Sequence, residues 1–130
     1  MVSEGDWPWE NFTPKEMADR ESYALSIDSE FMDILQHLRS SLDKALPVSS
    51  AYRTERHNTL IRGGPAHPAG KAADIRIFGE YAYEVVGAAM MLGFTGIGVK
   101  QTGRYGARFI HLDILEDGES GVHRPRIWSY

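Results

Sequence analysis

Phe109-Ile110-His111-Leu112-Asp113-Ile114 alternates between two kinds of side chain. Successive side chains of a strand point to opposite faces, so Ile110, Leu112 and Ile114 share one face and Phe109, His111 and Asp113 the other. The aliphatic trio is the natural core face, and it needs a second apolar layer to cover it. That layer is present at helical spacing. Phe31, Ile34, Leu35, Leu38 and Leu42 recur at threes and fours, with Asp28 or Ser29 as cap and Pro47 closing the segment. Tyr81 to Leu92 reads as a further amphipathic helix, with Val85, Val86, Ala89 and Leu92 inward and Gly93 at its end.

The remaining segments are short. Thr13-Pro14-Lys15-Glu16 predicts a helix start, because Thr caps, Pro suits the first helical position and Glu reaches back to the cap. Pro47 to Tyr52 and Ala72 to Ile77 predict strands, with a brief helical turn through Leu60 and Ile61 between them. Gly63-Gly64-Pro65 and Pro68-Ala69-Gly70 break regular structure on both sides of His67. Further strands are expected near Ile97–Lys100 and Arg108–Ile114, and the tail from Arg124 to Trp128 reads as a turn followed by an extended piece. Gly96 and Gly98 read as a tight approach to a strand, and Met90-Met91 as core filler. Without βαβ regularity the pattern predicts an α+β fold, a small and mostly antiparallel sheet with helices packed on one face. Residues 1–130 read as a single domain.

Composition narrows the chemistry. The absence of cysteine excludes disulfides, thiolate zinc fingers, iron–sulfur clusters and a cysteine nucleophile. A formal charge of −4 with scattered Lys and Arg argues against nucleic-acid binding. No apolar run approaches a membrane span, and the acidic opening Met1–Trp7 lacks the basic and apolar regions of a signal peptide. Synthesis in the cytoplasm, with no stable membrane association, is the expectation. A Gly-x-Ser-x-Gly elbow and a Walker A sequence are both missing.

Three side chains stand out by their settings. His67 lies in the Gly/Pro-rich loop, which is expected to cross the surface. Asp74 interrupts an apolar strand, where a carboxylate is costly to bury without a cation, a metal or several donors. His111 shares a strand face with Asp113. Two imidazoles and a carboxylate suit a catalytic zinc ion, which keeps its fourth position open. Each residue also has a plainer reading: an exposed loop His, an Asp paired with Arg, an ordinary edge strand.

The ordered set of motifs resembles a known family. Ser50-Ala51-Tyr52-Arg53-Thr54, Asn58, Gly63-Gly64 and His67-x-x-Gly70-x-Ala72-x-Asp74-Ile75 are similar to the signature of the M15 zinc peptidases, the D-Ala-D-Ala carboxypeptidase and L-alanyl-D-glutamate endopeptidase group. Gly93-Phe94-x-Gly96-Ile97-Gly98, Phe109-Ile110-His111-Leu112-Asp113, the late Arg-Pro-x-Ile-Trp and the opening Trp9-x-Asn11-Phe12-Thr13-x-x-Glu16-Met17 resemble its short, phage-associated branch. The resemblance implies a compact α+β domain related to the hedgehog signalling domain, with one zinc ion held by His67, Asp74 and His111. It implies that Arg53 lies in the substrate cleft, where a guanidinium can pair with a carboxylate of a peptidoglycan stem peptide. Two positions depart from the pattern: Pro65 stands where many members have Ser, and Phe109 where several have a catalytic His.

Asp113 is then a candidate general base, or a carboxylate that orients a ligand or holds Arg124 or Arg126. His57 and His123 are outside candidates, and Trp128 is a possible cleft wall. The expected function is zinc-dependent hydrolysis of peptidoglycan stem peptides by a phage or prophage lysis protein, reaching the wall through a holin-type pore or in the virion. The alternative is a zinc-holding structural or binding module without catalysis, motivated by Phe109 and by the lack of any acidic residue from 103 to 109.

Overall fold

Apolar residues on one side of five short strands, and two amphipathic helices to cover them, produce a two-layer arrangement in the computed structural model, which describes Val2 and residues 5–130. Residues 1, 3 and 4, part of the acidic opening stretch, lie outside the described residues. Along the chain come α1 (Pro14–Met17), α2 (Ser29–Leu42), β1 (Val48–Ser50), α3 (Glu55–Leu60), β2 (Ala72–Ile75), α4 (Gly79–Leu92), β3 (Gly96–Lys100), β4 (Phe109–Asp113) and β5 (Arg126–Ser129). The sheet runs β1-β2-β4-β3-β5, antiparallel throughout except for the parallel pair β3 and β5. This is the α+β architecture expected from the pattern. None of the described helices is long and apolar enough to cross a membrane.

Local signals act where they were read. Thr13 and Glu16 form a reciprocal capping box with Pro14 at the first helical position. Asp28 caps α2 by accepting from the Phe31 amide at 3.0 Å, and Gly93 ends α4 in the left-handed region at φ 97°. Ile75, Ile97, Ile110 and Leu112 of the sheet pack against Phe31, Leu35 and Leu38 of α2 and Val85 and Ala89 of α4. Each buried aliphatic side chain in that layer contributes roughly 1.5–3 kcal/mol.

Two expectations need correction, and a third, the extended tail, holds and gains a partner. Met90 and Met91 point outward, at 53% and 88% exposure, because Ala82, Val85 and Ala89 already fill the inward face of α4. The tail is a full member of the sheet, β5, placed beside β3 by a long-range pairing that has no local signature. The loop around His67 does not ride on the surface. Ala66 packs with Ala72 and Leu115 in a second small apolar cluster on the side of the sheet away from the helices, and this pins the loop down.

Candidate metal centre

The strand register sets one row of residues across the whole sheet. Ser50 pairs with Asp74, Asp74 with His111, His111 with Gly98, and Gly98 with Trp128. Because side chains alternate, this row looks away from the helices. The neighbouring row on the same face holds Ala72, Asp113, Gly96 and Arg126. The chemistry therefore stands on rigid strands, with the pinned loop adding His67 from above.

His67, Asp74 and His111 are all buried, and one donor atom from each lies within 4.8 Å of the others. Asp74 Oδ1 stands 3.3 Å from His67 Nε2 and 3.1 Å from His111 Nδ1. Outer partners fix which ring nitrogen faces inward. His67 Nδ1 lies 2.6 Å from the Ala51 carbonyl, which can only accept, so Nδ1 carries the proton and Nε2 presents its lone pair. His111 Nε2 lies 2.7 Å from Asp113 Oδ2, which leaves Nδ1 to face Asp74. Asp74 Oδ2 accepts from Arg53 at 3.1 Å, so the carboxylate cannot rotate freely. Two imidazole nitrogens and one carboxylate oxygen directed at a common point, each backed by a partner, fit a divalent metal ion with an open fourth position.

The charges are tuned in opposite directions. Burial holds the His67 imidazole below its ordinary value, offset only in part by Asp74. Burial also pulls on His111, but hydrogen bonds to Asp113 and Asp74 outweigh it and lift that ring. Burial raises the Asp74 carboxyl, yet the two imidazoles win and keep it well below the carboxylate range, so it is an anion at neutral pH.

Asp113 lies behind His111, not in the cleft. It is fully buried, and both oxygens are engaged. Oδ1 accepts from Arg124 Nε at 3.0 Å and the Leu115 amide at 3.2 Å, while Oδ2 accepts from His111 and from Arg124 at 2.8 Å. These pairings outweigh burial and lower its pKa to about 2. Of its two readings, orienting His111 and holding Arg124 is the one these contacts match. Gly96, directly opposite, makes this possible, since a Cβ there would collide with the Asp113 carboxylate.

Above the donors opens a cleft of about 390 Å³. Its floor carries His67, Asp74 and His111; the loop Ile61–Ala66 forms one wall, and Phe109, Trp128 and Tyr130 line another side. Trp128 stands 5.2 Å from the His111 ring, centroid to centroid, by lying over Gly98, where a Cβ would come within 2.7 Å of its indole nitrogen. Both glycines thus clear space for the site, a role different from the tight strand approach expected of them. A glycine inside a strand is itself the signal of such close contact.

The other candidates separate. Arg53 lines the cleft, but its three nitrogens are committed to Ser50 Oγ at 3.0 Å, Asn58 Oδ1 at 3.2 Å and Asp74. Gly63 accommodates that network, since a Cβ there would meet Asn58 and come within 2.6 Å of the Arg53 guanidinium. His57 is absent from the cleft lining; its Nδ1 lies 2.9 Å from buried Asp19. His123 is almost wholly exposed beside Asp117. The sequence alone did not single out Asn58 as part of the Arg53 network, nor Arg62 and Arg126 as cleft residues.

No curated protein matches the chain. A family model described as Peptidase M15 matches residues 10–113, a span that takes in all three donors and ends at Asp113, before Arg124 and Trp128. With the matched span covering most of the sequence and the His/Asp/His cluster formed within it, the chain belongs to the M15 peptidase family.

Proposed function

We propose that this protein is a zinc-dependent peptidase that hydrolyses peptide bonds in peptidoglycan stem peptides, of D-Ala-D-Ala carboxypeptidase or L-Ala-D-Glu endopeptidase type. The observation that carries the reading is the convergence of His67 Nε2, Asp74 Oδ1 and His111 Nδ1 on one point at the floor of an open cleft. A zinc ion held there would polarise the substrate carbonyl and activate water at neutral pH. The chain's own residues prepare that chemistry. Ala51 and Asp113 keep the two imidazoles in the tautomers that present lone pairs, Arg53 holds Asp74, and Trp128 packs beside His111. Tyr130 stands at the rim of the cleft, its ring 5.0 Å from that of Phe109, centroid to centroid.

A role as a phage or prophage lysis protein, reaching the wall through a holin-type pore or carried in the virion, is supported by the similarity of the opening and closing motifs to the short branch of the family. A second reading, a zinc-holding binding module, is favoured by one feature. Among the described residues, Asp74 is the one carboxylate lining the cleft, and it is already engaged. Purified peptidoglycan digested with and without a chelator, and read by mass spectrometry, separates the two. Chelator-sensitive release of new amino and carboxyl ends is expected, and the fragment masses name the bond. One zinc ion bound per chain without cleavage of several wall types would overturn the peptidase reading.

A further inference from the structure

Four arginines and a single carboxylate line the cleft of a chain whose net charge is −4. That inversion of sign points to an anionic ligand. The four guanidinium groups are not equivalent. Arg53 is committed to Ser50, Asn58 and Asp74, and Arg124 to Asp113 and the His123 carbonyl. Arg62 and Arg126 have no hydrogen-bond or ion-pair partner for their side chains among the described residues, and both are exposed at the cleft.

Their backbone settings add a second argument. The Arg62 amide donates to the Thr59 carbonyl and the Gly63 amide to the Asn58 carbonyl, the pair of hydrogen bonds that ends α3. Arg62 therefore occupies the left-handed position of that motif at φ 57°, where glycine is the usual residue. Two glycines follow immediately, yet the long cationic side chain sits at the strained position and reaches the cleft. Arg126 comes from the opposite direction, on edge strand β5, and its guanidinium lies 5.6 Å from the Trp128 ring centroid.

We infer that Arg62 and Arg126, and not Arg53, bind a free carboxylate of the peptide substrate and so select anionic peptides. This inference rests on the peptidase reading above. Guanidinium groups on two walls of one cleft suit a carboxylate anchored beside the donor cluster, while Arg53 serves as a positioning residue for Asp74.

The test uses the zinc-loaded full chain and two matched stem-peptide series, one amidated at the terminal α-carboxylate and one at the side-chain carboxylate. Arg62→Gln and Arg126→Gln are expected to raise KM about tenfold for the carboxylate peptide, with kcat little changed and little effect on the amide that removes the bound group. Which amide abolishes the difference identifies the carboxylate. Equal effects on free and amidated peptides in both series would overturn the inference, as would wild-type KM in both variants. If the wild type cleaves nothing, the peptidase reading fails separately, and calorimetric binding of the same peptides decides the inference. Tighter binding of the carboxylate form, lost in both variants, supports it; equal affinity for acid and amide refutes it. Thermal melting checks the fold, which these exposed side chains should leave intact.

Discussion

Asp113→Asn keeps the shape of the side chain but removes the charge that faces Arg124, whose side chain is 5% exposed. Leaving that guanidinium without its partner should cost about 3 kcal/mol, seen as a lower midpoint in denaturant. The same change loosens His111, so zinc affinity should fall roughly 10–100-fold in competition with a chromophoric chelator. Wild-type affinity in this variant would show that Asp113 does not orient the ligand. Asp19 offers a pH test away from the cleft. Burial pushes its carboxyl up, but the amides of Ser22, Thr54 and Glu21 and the His57 ring outweigh burial and hold it well below its ordinary 3.8. A depressed folded value means the stabilisation is full above the unfolded value and fades as pH falls below about 4. Asp19→Asn should melt lower at pH 7 and depend less on pH between about 4 and 2; parallel curves would refute the assignment. The donors stood out in the sequence by their settings, each with a plainer reading beside it, and the ordered motifs of the family resemblance singled them out as a set. The depth of Asp113 was not legible, since alternation assigns a face and says nothing about what lies over it.

At the scale of elements, the strands are positioned by what their glycines leave out. Gly98→Ala should displace the Trp128 ring from His111 and cost about 1–3 kcal/mol, with a changed tryptophan emission spectrum as its signature. Gly96→Ala meets a buried carboxylate instead of a movable ring, so its loss of thermal stability should be the larger of the two. An equal or reversed order would mean that Asp113 has room to shift. Helices α1, α2 and α4 were readable because caps, periodicity and the stop at Gly93 are local. The strands lost residues at their ends, as at Tyr52 and Ile77, where side-chain pattern continues but pairing does not. The parallel placement of β5 depends on contacts about thirty residues apart and could not be read from its own composition.

At the scale of the whole molecule, the sheet separates stability from chemistry. The large apolar cluster lies under the helices and the donor cluster on the other face, and no buried side-chain nitrogen or oxygen among the described residues lacks a partner. Chelation should therefore leave the far-ultraviolet spectrum unchanged and lower the melting temperature by about 15 °C, as expected for a ligand present at a thousandfold its Kd. Collapse of secondary structure on chelation would show that the metal holds the fold. The fold class could be foreseen because two helical periods and one alternating strand already demand two layers. The cationic cleft could not, since its arginines are spread from Arg53 to Arg126 and meet only after folding. The clasp on Asp113 and the aromatic wall beside His111 both come from residues 124–130, whereas the three donors all lie earlier in the chain. A chain cut after Asp113 would keep every donor yet leave Asp113 without Arg124 and His111 without its indole neighbour. Displaying the donors and holding them in place are therefore separable properties of this sequence.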